Sequence, residues 1–138
     1  MTVRCEYGQN DVVSDSEATN WAFIDAWLLT AIGGSGRRGR SLSNLIGVAD
    51  ALNHDIPTEE QAAASLGRLR SSGLVEVAGS RYRVTSLGKS IYKQRSRDWF
   101  NRSPVLRALA DVPCVDGTVR FAPGEFEAAY NEYARRMR

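Results

Sequence analysis

The chain has 138 residues, 43% hydrophobic and 25% charged, with a formal net charge of +2. That length holds one domain, or a small domain with an extension, and allows a core that needs no disulfide or metal staple. The longest apolar stretch, residues 21–32, is too short to span a bilayer and carries Asp25. The opening run MTVRCEYGQNDVVSDSE lacks the basic-then-apolar order of a secretion signal, so no membrane association and a cytoplasmic location are expected.

Residues 1–15 read as a polar, aperiodic tail. Ser14 with Glu17 three places on resembles a capping box. The first helix that follows has Ile24, Trp27, Leu28, Ala31 and Ile32 at helical spacing, puts Asp25 and Thr30 elsewhere, and stops at Gly33 and Gly34. The glycine- and arginine-rich loop GGSGRRGR comes next. A second helix is expected over 44–53, N-capped by Ser43, with Leu45, Ile46, Ala49 and Leu52 as its apolar stripe. His54, Asp55, Ile56 and Pro57 make a four-residue turn, and Thr58 caps a third helix over 59–72 with Ala62, Leu66 and Leu69 inward. Gly73 sits where a helix-ending glycine belongs.

Val75, Val77, Tyr82 and Val84 then alternate with Glu76, Arg81 and Arg83, the period-two mark of a half-buried ribbon. Gly79-Ser80 suits a two-residue type II′ turn, a register that pairs Val77 with Tyr82 and Glu76 with Arg83. Thr85 or Ser86 caps a fourth helix containing Leu87, Ile91 and Tyr92. Beyond Arg97 the pattern predicts a short helix started near Pro104 and a brief strand over 118–121. A last helix opens at Pro123, with Glu125 and Glu127 in its first turn and Arg135, Arg136 and Arg138 at its end, as the helix dipole favours.

Helix, helix, four-residue turn, helix and two-stranded ribbon is the order of a winged helix-turn-helix. The run TEEQAAASLGRLRSSGLVEVAGSRYRVTSLGKSIY resembles the recognition helix, wing and following helix of small bacterial winged-helix regulators, such as the multiple-antibiotic-resistance and phenolic-acid-repressor groups. A group of short actinobacterial proteins shares the layout. The resemblance covers about residues 16–95 and is carried by Leu66 and Leu69, the GLV of 73–75, and the Tyr82, Thr85, Gly88 spacing. The expected fold class is therefore mainly α with a small β-hairpin wing. A winged helix-turn-helix domain spans 16–97 and a C-terminal helical extension 98–138. The resemblance implies a DNA-binding transcriptional regulator.

The small net charge conceals an uneven distribution. Residues 1–36 carry one Arg against five acids, for −4; residues 37–97 carry nine Arg and two Lys against five acids, for +6; residues 98–138 balance six against six. The basic excess coincides with the third helix and the hairpin, which fits an anionic partner, double-stranded DNA. With Ala62, Leu66 and Leu69 as core, helical geometry turns Glu60, Gln61, Ala64, Gly67, Arg68 and Ser71 outward. Small residues such as Ala64 let the helix sit deep in a major groove, where Gln61 reads adenine and Arg68 guanine. Ser71 and Ser72 are assigned to phosphates, as are Arg37, Arg38 and Arg40 of the loop and Arg81 and Arg83 of the wing, Arg81 also reaching for the minor groove. Against this, Glu59 and Glu60 put negative charge at a helix N-terminus that would otherwise favour phosphate.

Other signals weigh less. Residues 34–39 read GSGRRG, a literal GxGxxG, but the segment before them has helical rather than strand periodicity, so no nucleotide site is expected. His54 is read as a turn residue. No nucleophile–base–orienter set can be assembled, so neither enzymatic activity nor a cofactor is expected. One His and two dispersed cysteines cannot build a zinc site; Cys5 and Cys114 are expected as reduced thiols, with a long-range disulfide as the alternative. Phe126, Tyr130, Tyr133 and Met137 form an aromatic stripe with two readings, packing on its own domain or the seam of a homodimer that would pair two recognition helices. Two functional alternatives stay open beside DNA binding. One is a winged-helix protein–protein interaction module without sequence-specific DNA binding, docking a partner through the aromatic extension. The other is a sensor with an apolar pocket between the helices and the extension.

Overall fold

The computed structural model describes residues 21–98 and 101–137. The protein is mainly helical, with a small antiparallel sheet. In chain order the elements are α1 (Phe23–Gly33), a 3-10 turn (Gly36–Arg38), β1 (Arg40–Ser41), α2 (Leu42–Asn53), α3 (Glu59–Ser71), β2 (Val75–Ala78), β3 (Arg81–Val84), α4 (Ser86–Tyr92), α5 (Ser103–Leu109) and α6 (Glu125–Arg136). The Ser14–Glu17 capping box lies outside the described residues.

Helix α1 is the axis of the molecule. Residues 25–32 are all buried, and α2, α3, α4 and α5 pack around it. An amphipathic first helix was expected; burial on every side follows because four helices surround it, and Asp25, which the periodicity left polar, is covered by Ser65 and Arg68 of α3. Trp27 donates its indole N–H to the Ala49 carbonyl (2.9 Å), and Trp21 donates to that of Val112 (2.8 Å), so both indoles pin α1 to neighbours distant in sequence. Val105 and Leu109 of α5 and Phe126 and Ala129 of α6 belong to the same core as Leu28, Ile46, Leu66 and Leu69. The C-terminal segment is therefore packed into this core.

The helix ends follow their capping chemistry. Thr58 and Gln61 make the reciprocal capping box of α3, and Thr85 Oγ1 accepts from the Gly88 amide at the start of α4. The second helix starts two residues earlier than expected. Ser41, not Ser43, is its N-cap and accepts from the Asn44 amide, while Ser43 is buried and accepts from Arg136.

The hairpin has the expected register, Val77 opposite Tyr82 and Glu76 opposite Arg83, with φ positive at Gly79 and not at Ser80. The sheet gains a third strand that periodicity could not show, because it is two residues long: β1 pairs with β3, Arg40 opposite Tyr82 and Ser41 opposite Arg81, giving the order β1-β3-β2. Residues 118–121, expected as a strand, form none; Val119 instead donates its amide to the Ala63 carbonyl on the flank of α3. Cys114 is disulfide-bonded, which overturns the expectation of a reduced thiol there.

Candidate nucleic-acid interface

The residues assigned to DNA separate into three groups. The first is the glycine loop and the β2–β3 hairpin. Pairing of β1 with β3 brings Arg37 and Arg38 against Arg81 and Arg83: Arg81 Nε donates to the Arg38 carbonyl (3.1 Å) and an Arg83 amino group donates to the Arg37 carbonyl (3.2 Å). Gly39 makes this closure possible. Its φ of +75° is in the left-handed region, and a β-carbon there would strike the Tyr82 carbonyl. Two hairpin arginines thus hold the loop's backbone, and the loop's own arginines are exposed. Arg37 and Arg38 are exposed and make no ion pair or side-chain hydrogen bond among the described residues. Arg83 is partly neutralised by Glu76 at 2.6 Å.

Arg40 does not join this surface. Its Nε donates to the Ala31 carbonyl in the last turn of α1, and burial lowers its pKa from the ordinary arginine value, partly offset by Tyr92. It anchors the loop and does not meet phosphate from the patch.

The second group is α3, and here the expected reading face is largely withdrawn. Arg68, assigned to guanine, is 7% exposed and forms an ion pair with Asp25 of α1, whose carboxylate is fully buried. Helical spacing places Arg68 at the border of the polar face; the buried carboxylate decides which way it turns. Gly67 is buried too, because residues 113–119 cross this flank of the helix. A β-carbon at Gly67 would collide with the backbone of Gly117 and Thr118. The same segment takes Ser72, whose Oγ accepts from the Val115 amide (2.8 Å), and packs beside Ser71. Gln61 is exposed, but its Oε1 is occupied by the Thr58 amide, so one half of an adenine-reading fork is engaged. What α3 leaves open, besides Gln61, is Glu59, Glu60, the half-buried Ala64, and Arg70 and Ser71 at its C-terminus. Arg70 was not assigned a role; its place in the +6 segment was the available signal.

The third group is the aromatic stripe of α6, which the structure divides. Phe126 is buried in the core, and Tyr133 lies against Gly47 of α2 and donates its hydroxyl to Asp50 Oδ2 (2.6 Å). Tyr130 and Met137 are exposed, at 41% and 68%. The stripe is thus divided between contacts within the molecule and solvent.

Among the described residues no group of three or more His, Cys, Asp or Glu side chains is arranged to hold a metal ion. No helix is long and apolar enough to cross a membrane. Comparison with protein-family models, with curated proteins and with solved structures finds no match to this chain.

Proposed function

We propose that the chain is a winged-helix protein that binds duplex DNA chiefly through its loop–wing arginines, in a transcriptional regulatory role. The element order α1, β1, α2, α3, β2, β3, with β1 hydrogen-bonded to β3, supports the winged-helix reading. The observation that carries the nucleic-acid reading is the convergence of Arg37, Arg38, Arg81 and Arg83 on one sheet edge, with the first two unpaired. Phosphates are the natural partner of such a cluster, since guanidinium groups meet their oxygens in a bidentate fashion. The covered flank of α3 argues for binding dominated by backbone contacts, with little base readout.

The test is duplex binding by fluorescence anisotropy across a salt series. Binding should fall steeply with salt, and the Arg37→Ala, Arg38→Ala double variant should weaken all sequences alike and flatten the log–log slope by about 1–2 units. Absence of duplex binding at low salt would sink this reading. A second reading, a protein-interaction module, is favoured by one observation: residues 113–119 already occupy α3 as a peptide would. Capture of DNA-independent partners, with no duplex binding, is its signature.

A further inference from the structure

A cleft of about 470 Å³ opens between the C-terminal end of α1, the outer side of α2 and the chain that leaves α4. Its volume is in the range of small-molecule sites. A sensor was expected to have an apolar pocket between the helices and the extension; this cleft combines apolar with cationic lining. Arg40, Lys93, Arg95, Arg97 and Arg102 line it, and among the described residues no carboxylate does. The cations share the cleft with an apolar wall of Val48, Leu52 and the Tyr92 ring.

Two of these arginines are held in unusual conditions. Arg102 is 5% exposed; one amino group donates to the Leu52 carbonyl at the end of α2, but its Nε is buried with no hydrogen-bond partner. Orphaned buried donors are rare because each forfeits its hydration without replacement. Burial also depresses the Arg102 pKa, with the charge of Asp98 opposing that shift. Arg95 lies over the Tyr92 ring, 4.2 Å from its centroid, which fixes a cation at the mouth. Five cations gathered in a cleft with no carboxylate in its lining among the described residues repel one another, and a bound anion relieves that repulsion.

We infer that this cleft binds a small organic anion, an oxyanion head on an apolar body, with Arg102 and Arg95 on the head and Val48, Leu52 and Tyr92 against the body. The head is a phosphate monoester or a carboxylate; both accept the guanidinium fork. The site uses residues distinct from the exposed loop–wing arginines, so it stands or falls separately from the nucleic-acid reading.

The test titrates the full chain with phenyl phosphate, benzoate, inorganic phosphate and phenol at fixed ionic strength, read by calorimetry and by the thermal midpoint. Phenyl phosphate or benzoate should bind saturably and raise the midpoint, as any ligand selective for the folded state does. Which of the two binds more tightly identifies the head group. Phenol should bind at least tenfold more weakly than that probe, and so should inorganic phosphate, which lacks the body. The exposed pair Arg95→Gln, Arg97→Gln should raise Kd at least tenfold, and Arg102→Lys should weaken binding further. Absence of saturable binding by either organic anion overturns the site. So does binding that survives the Arg95→Gln, Arg97→Gln change but is lost in Arg37→Ala, Arg38→Ala, which would put the anion on the loop–wing patch.

Discussion

Asp25 and Arg68, 43 residues apart, form a buried ion pair at 2.9 Å between α1 and α3. The carboxylate is fully satisfied: besides both contacts from Arg68 Nε it accepts from Ser65 Oγ at 2.6 Å and from the Ala22 amide at 2.8 Å. It thereby caps its own helix while setting the rotation of α3. Removing Asp25 takes the buried carboxylate away from the Arg68 guanidinium and from Ser65. Asp25→Ala should therefore cost about 3–5 kcal/mol of unfolding free energy, measured by urea denaturation. An Asp25→Leu, Arg68→Met double variant should recover most of that loss, since a buried pair gains little over well-packed apolar side chains. A single variant at wild-type stability would contradict the geometry. The double variant should keep whatever DNA affinity the protein has, because Arg68 does not face outward.

The flank of α3 under residues 113–119 makes a second prediction. Gly67 has no room for a side chain beneath Gly117 and Thr118. Gly67→Ala should cost about 1–3 kcal/mol through overpacking. The damage should be local, with faster hydrogen exchange at the amides of Val115 and Val119, which bond to Ser72 and Ala63, and unchanged protection in the β2–β3 hairpin. Uniform loss of protection throughout the molecule would mean that the crossing segment is not a separable layer.

Tyr133 offers a pH-dependent test. Its hydroxyl donates to Asp50, and that hydrogen bond, followed by burial, raises its pKa above the ordinary value of 10.0. A raised folded-state pKa means that the contribution is fully present below the unfolded value and is lost as pH rises through the folded one. Tyr133→Phe should cost about 1–2 kcal/mol near neutrality. The difference between wild type and variant should stay constant up to about pH 10 and shrink above it. Burial raises the Tyr82 pKa as well, so both proteins will lose some stability in strong alkali, and only their difference reports on Tyr133. A difference that grows with alkali would refute the assignment of donor and acceptor.

What was legible in the sequence is what local chemistry decides. The Thr58–Gln61 box, the Thr85 cap, the hairpin register and its glycine turn depend on residues within a few positions of one another. The loop–wing cluster was readable from charge, although the two-residue β1 that assembles it was not. Long-range pairing was invisible. Arg68 has the same helical phase whether it meets DNA or Asp25, and only the fold brings the carboxylate underneath. The segment 113–119 has no period to betray that it covers α3. The cationic cleft was hidden differently: Lys93, Arg95 and Arg97 were counted in the basic middle of the chain, so their convergence with Arg102 did not stand out.

The last prediction concerns assembly. A homodimer through α6 requires a continuous apolar seam, but Phe126 and Tyr133 are spent on α2 and the core, leaving Tyr130 and Met137 on the outer side. Two side chains bury far less than the roughly 1,200 Å² that stable association needs. Sedimentation equilibrium should therefore give a monomer up to high concentration, unchanged by Tyr130→Ser. Phe126→Ala should instead destabilise the monomer by about 3–5 kcal/mol, as expected for an emptied core site. A dimer that Tyr130→Ser dissociates would restore the seam and, with it, the paired reading heads that a palindromic site demands.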